Sequence, residues 1–224
     1  MAKVTNYGTL KTAISDWLAR GDLSDYTDQF VQFAENQIYS DPELRLRQME
    51  KQLDGFVGCD GKMDVPDDYL ELKHAYLDKS PRIQLERCDP AFIYETYGTR
   101  FAGLTPFSDT ELSDSSFAYG NGVPKYIATE GDTFILAPFP SDQYRVGGIY
   151  YKKFTALNAE SDTNWLLTNH PDLYLYGALM QAEPFIKNDS RIMLWEKMYE
   201  RARARVRGSE RRERFSGGIA VRAV

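Results

Sequence analysis

Apolar residues recur at helical spacing at both ends of this chain and at strand spacing in between, and that switch narrows the folds open to it. Near the start, Thr9 is placed to cap a helix whose apolar face is Leu10, Ile14, Trp17 and Leu18, closing at Arg20-Gly21. A second helix is expected from about Asp25, with Tyr26, Phe30, Phe33, Ala34 and Ile38 on one side, interrupted at Pro42. From Gln48 short strand-like runs follow at 49–57, 62–65, 72–77, 82–87, 125–129, 133–137 and 143–154. Turn signals such as Pro66-Asp67-Asp68 and Glu130-Gly131-Asp132 separate them. Connections this short favour antiparallel pairing. A brief helix at 89–97 has Asp89 as its cap and Pro90 in its first position.

The helical period returns after residue 164. Asn169-His170-Pro171-Asp172 reads as a helix start, with Leu175, Leu179, Ala182 and Ile186 on the buried face and Pro184 kinking or ending the helix. A last helix begins at 188–190 and carries Trp195, Met198, Tyr199, Ala202 and Val206 on one stripe. The predicted fold is α+β. An N-terminal hairpin (1–50) and long C-terminal helices (165–214) form a helical bundle, around a central antiparallel β domain (51–164) with a long loop at 98–122. A flexible tail, 215–224, ends it.

With 224 residues the chain has room for one well-packed domain or two small ones. The search for chemistry comes back empty. The sequence has no GxSxG, GxxxxGK[ST], HExxH or strand-linked GxGxxG pattern. Two cysteines, Cys59 and Cys88, and two histidines, His74 and His170, stand at spacings unlike a zinc site, and reduced thiols in a cytoplasmic product are expected. Among 33 acidic residues, pairs such as Asp67/Asp68 or Glu111/Asp114 arise by chance, and 109–114 lacks the ligand spacing of an EF-hand loop. No apolar run approaches the ~20 residues that span a bilayer. The expectation is a non-enzyme without cofactor or metal and without a membrane span or signal peptide.

Two features carry interaction content. The stretch 98–122 is rich in Gly, Ser, Thr and Asp yet holds Phe101, Leu104, Phe107, Phe117 and Tyr119. It reads either as a loop folded on its own domain or as a contact arm ordered by a neighbouring subunit. The second feature is charge. Residues 188–224 hold ten basic and five acidic side chains, a balance of +5 that leaves −11 for the other 187 residues. On the last helix Lys197, Arg201 and Arg205 form one stripe and Arg203, Arg207 and Arg211 another. They suit an acidic protein surface, DNA phosphates, or a solvated face with local pairs such as Glu200–Arg203 and Glu210–Arg214. Fifteen tyrosines suit half-exposed contact surfaces or simply a Tyr-rich sheet.

Several blocks of the sequence resemble one family. They are Tyr7-Gly8-Thr9-Leu10-Lys11 with Ile14-Ser15-Asp16-Trp17-Leu18, Phe30-Val31-Gln32-Phe33-Ala34-Glu35, Arg45-Leu46-Arg47-Gln48-Met49-Glu50 and Val65-Pro66-Asp67-Asp68-Tyr69-Leu70-Glu71. Pro124-Lys125-Tyr126, Leu136-Ala137-Pro138 and the long block from Asn164-Trp165-Leu166-Leu167 to Tyr176-Gly177-Ala178 follow in order, then Arg211-Arg212-Glu213-Arg214-Phe215. Together they resemble the head–tail adaptor proteins of tailed phages, with 98–122 the poorest match.

The resemblance implies a ring, usually of twelve copies, beneath the portal protein. Such a ring extends the DNA channel and carries the nozzle or tail tube protein, and DNA passes through it without sequence-specific binding. It places the chain in the virion at the head–tail junction, assembled in the host cytoplasm. It also makes the C-terminal segment the portal-docking element, here Arg205, Arg207, Arg211, Arg212, Arg214, Phe215, Ile219, Val221 and Arg222. Truncation after Gly208 is then expected to leave a folded domain that no longer docks. The alternatives are a nozzle or completion protein, a DNA-binding accessory protein acting through the basic helix, and a tail-associated hydrolase.

Overall fold

A computed structural model describes residues 3–98, 122–140, 142–186 and 191–214, with side chains up to Arg211. The chain forms two compact units, Met1–Met49 with Lys153–Val224, and Glu50–Lys152. The helices are α1 (Tyr7–Leu18), α2 (Thr27–Ser40), α3 (Pro90–Tyr97), α4 (Trp165–Asn169), α5 (Pro171–Ile186) and α6 (Ile192–Arg214). The strands are β1 (Glu50–Val57), β2 (Lys62–Asp64), β3 (Tyr69–Leu77), β4 (Ile83–Arg87), β5 (Tyr126–Glu130), β6 (Thr133–Ala137) and β7 (Tyr144–Lys152). The protein is thus mixed α and β, with six helices and seven strands among the described residues.

In the first unit α1 is capped by Asn6, not by Thr9 as the sequence reading had it. The Asn6 side chain accepts from the Thr9 backbone N–H at 2.9 Å, and the Thr9 hydroxyl accepts from the Asn6 N–H at 3.0 Å. Thr9 is the returning half of that pair, which is why it looked like a cap. Leu10, Ile14 and Leu18 are buried as expected. On α2 the buried side is Phe30, Val31, Ala34 and Ile38, whereas Tyr26 and Phe33 remain 44% and 43% exposed. The expected stripe was therefore wider than the face α2 buries. Asp41 breaks the helix and caps the 3-10 turn Pro42–Leu44 by accepting from the Glu43 N–H.

The helix α5 is central, with α1, α2 and α6 packed around it. Its buried residues, among them Leu173, Tyr174, Ala178, Leu179 and Ala182, lie on all sides rather than on one stripe. At Gly177 an added Cβ would lie 3.0 Å from Ala34 Cβ and 3.4 Å from the Tyr199 ring. The missing side chain is what lets α2, α5 and α6 meet there. Pro184 sits in the last turn without breaking the helix before Ile186. On α6, Trp195, Tyr199, Ala202 and Val206 are buried and Met198 is half-buried. The segment after β7 returns to this unit: the Tyr7 and Gly8 N–H groups donate to the Asp162 and Glu160 carbonyls at 2.8 and 2.9 Å.

The second unit is one sheet in the order β1-β7-β3-β4-β5-β6-β2. The two outer strands also touch, so the sheet nearly closes on itself. Its core is Leu53, Val57, Leu72, Leu77, Phe134, Leu136, Val146 and Tyr150 among others. Pairing is antiparallel except between β4 and β5, which run parallel with Glu86 opposite Tyr126. That corrects the fully antiparallel expectation. The connection from β4 to β5 contains α3 and is long enough for a crossover. Ile93 of α3 packs with Ala128, Ile135 and Phe139 in a smaller cluster. Opposite an irregularity in β3, a Cβ on Gly148 would sit 2.4 Å from the His74 carbonyl oxygen, so only glycine permits that approach.

Candidate assembly surfaces

The α6 arginines split into two sets on opposite sides of the helix. Arg203 reaches Asp41, Glu43 at 2.7 Å and Glu200 at 3.0 Å, and Arg207 reaches Glu43 at 2.8 Å. This set is committed to holding α6 on the turn after α2. Burial alone would raise the Asp41 carboxyl, but the bonds from Arg203 and the Glu43 N–H hold it below the ordinary carboxylate range. Arg205, on the other side, pairs with Asp172 at 2.5 Å while staying largely exposed. Lys197, Arg201 and Arg211 are exposed.

Of the expected docking residues, Arg205 and Arg207 therefore already hold partners within their own unit. The side chains of Arg212 and Arg214, and the residues Phe215, Ile219, Val221 and Arg222, lie outside the described residues. So do Phe101, Leu104, Phe107, Phe117 and Tyr119. Near the end of α6, Glu210 is buried and accepts the Arg47 backbone N–H at 2.9 Å. A cut after Gly208 would remove this anchor together with the docking segment, so a cut after Arg214 is the cleaner test.

Two aromatic surfaces on the helical unit escaped the sequence reading. One is a shallow groove of about 650 Å3 lined by Tyr176, Met198, Arg201, Ala204 and Arg205. Tyr176 is held there by Trp17 and Trp195, whose ring centroids lie 6.0 and 6.4 Å from its own. The other surface is Tyr26, immediately before α2, and Phe33 on it, with Phe185 (49% exposed) against Tyr26 at 4.7 Å. Met193 and Leu194, at the start of α6, are 78% and 50% exposed. The available signal was that Tyr26 and Phe33 fall at i and i+7 among polar residues, Gln29 and Asn36 included, and that Met193-Leu194 lies off the Trp195 stripe.

Beneath these surfaces the unit buries polar groups in pairs. Tyr174 donates to Glu35 at 3.1 Å and accepts from the Asn164 amide at 3.0 Å. Burial pushes the Glu35 carboxyl up, partly offset by the Tyr174 hydroxyl. Glu183, fully buried, accepts from the Trp195 indole N–H at 2.8 Å and pairs with Arg191 at 3.1 Å. Its role was invisible from composition.

On the β unit, a groove of about 380 Å3 is lined by Lys51, Gln52, His74, Tyr76 and Arg82 among others. His74 stacks on Tyr76, and Arg82 lies 4.8 Å above the same ring. Lys73 sits over Tyr151 and Lys79 over Tyr144. His170 packs against Trp165 with centroids 5.5 Å apart. Neither cysteine forms a disulfide. Among the described residues no group of three or more His, Cys, Asp or Glu converges as a metal site would require, and no helix is long and apolar enough to cross a membrane.

Exposed aromatic surface, edged by charge and carried on a well-packed scaffold, defines a protein equipped to dock. Compared with known families, the chain matches the SU10 adaptor protein family over residues 5–222 and belongs to it; this is a family of phage head–tail adaptors. It is a structural family of the phage particle rather than a known class of enzyme. No curated protein matches the chain.

Proposed function

We propose that this protein forms a ring beneath the portal of a tailed phage, extends the DNA channel there and carries the nozzle or tail tube. The observation that supports the reading most is the family match across nearly the whole chain, from residue 5 to residue 222. Exposed aromatics on a unit whose own core is already full support it further, since such surface is retained where a neighbour will cover it. Residues 215–224, with Arg211, Arg212 and Arg214, are assigned to the portal. Arg203 and Arg207 are assigned to the fold itself, because their carboxylate partners lie in the same unit. That division leaves Arg203 and Arg207 out of any DNA contact through α6, while Lys197, Arg201 and Arg211 stay exposed.

The test is to mix the protein with the portal ring of the same phage and measure masses by mass photometry at low and moderate salt. A discrete gain equal to a full ring of subunits is expected, and it should vanish on truncation after Arg214. No association of folded protein at either salt would overturn the reading.

A further inference from the structure

Residues 21–44 contain six acidic side chains and no lysine or arginine, whereas α6 is strongly basic. Within one chain this attraction is used on one side only, where Arg203 and Arg207 clamp the turn at 41–43. On the other side Lys197 and Arg201 are exposed beside the Tyr176–Met198 groove, and no carboxylate among the described residues pairs with them. On α2 the exposed face of Tyr26, Gln29, Phe33 and Asn36, with Asp25 at its edge, likewise meets no cation among the described residues.

The two surfaces face different ways. At ~100° per residue, Tyr26 and Phe33 lie on the side of α2 away from Asp28, which binds Tyr7 and Lys11 of α1. The groove instead lies on the α1 side, since Tyr176 and Trp195 both touch Trp17. One surface is apolar with an acidic edge and the other apolar with a basic edge. They complement each other, but neither complements itself, and a single chain cannot bring them together.

We infer that the α2 face of one copy seats in the α5–α6 groove of the next, with Tyr26 and Phe33 against Tyr176 and Met198, and Asp25 beneath Lys197 and Arg201. A contact between two different patches is head-to-tail, and repeated with a fixed rotation it closes into a ring. This inference rests on the ring proposed above and names the surfaces that build it. Each contact is modest, and ring closure multiplies them.

Two variants block one face each: Phe33→Asp on α2, and Lys197→Glu with Arg201→Glu at the groove. All three positions are exposed, so thermal melts should match the wild type. Each variant alone should stay monomeric at 25.7 kDa by mass photometry, or need at least about tenfold more protein to form rings. Mixed in equal amounts, they should give a capped dimer and nothing larger, because one intact groove meets one intact α2 face. Gln29→Lys, which leaves every buried side chain in place, should reproduce the loss seen with Phe33→Asp. Rings from either variant alone at the concentration where the wild type forms them, or a mixture that stays monomeric, would overturn this contact while leaving the ring itself standing. A wild-type chain that forms no ring, alone or on the portal, would sink both.

Discussion

The two units stabilise themselves in different ways. The sheet buries an almost wholly apolar core and keeps its ion pairs outside, as in Arg145–Asp54 and Lys73–Glu50. Even Tyr150, buried at the ring, sends its hydroxyl out to Asp68 at 2.6 Å. The helical unit does the reverse. It buries Glu183 and Glu210 and half-buries Glu35, each with a partner, and leaves Tyr26, Phe33, Phe185 and Met193 exposed. Of the helical unit's carboxyls, Glu35 is raised by burial and Asp41 held down by Arg203, so both tie stability to their protonation. Phe56 and Phe92 are exposed on the sheet unit too, so the contrast lies in what each core buries rather than in what each surface shows.

The sharpest way to break the comparison is to overfill the helical unit. Gly177→Leu pushes a side chain into Ala34 and Tyr199, and should cost about 3 kcal/mol, read as a lower denaturation midpoint of the helical signal in circular dichroism. Next is Arg203→Ala, which strands the half-buried Asp41 and should cost about 2 kcal/mol at neutral pH. Because the Asp41 carboxyl is depressed in the folded state, its contribution is complete above the ordinary value of ~3.9 and is lost as pH falls through the lower folded value. The gap between wild type and Arg203→Ala in urea titrations should therefore close below about pH 4.

Glu35 carries the opposite sign. Its carboxyl is raised by burial, so the charged form costs stability at neutral pH and that cost is relieved on acidification. Glu35→Gln keeps an acceptor for Tyr174 and should stabilise at pH 7, with the gain disappearing by pH 4 or so. The smallest effect belongs to the sheet. Asp54→Asn removes the exposed partner of Arg145 and should leave the midpoint unchanged at physiological salt. A large loss there would mean that the sheet, too, depends on its charges.

Much of the fold was legible wherever a local rule governed the residues. Strand β6 falls at 133–137 as read, Asp89 and Pro90 start α3, and the Trp195–Tyr199–Ala202–Val206 stripe is buried. The misreadings have tertiary causes. Phe33 lies within the apolar sector of α2, and only the placement of α5 leaves it outside. The long connection between β4 and β5 was legible as a helix and loop, but nothing local says that it returns the chain parallel. The groove at Tyr176 needs three helices brought together, which spacing along one helix does not reveal. The basic face was legible as charge but not as two sets, because Asp41 and Glu43 are 162 and 160 residues away from Arg203 in sequence.

The bond from Glu210 to Arg47 has a mechanical meaning. Arg47 opens the 3-10 turn that leads directly into β1. Glu210 thus ties the end of α6, five turns from its start, to the segment 47–49 inside the helical unit. A loss of that carboxylate would leave both the Arg47 N–H and the last turns of α6 without the bond that joins them.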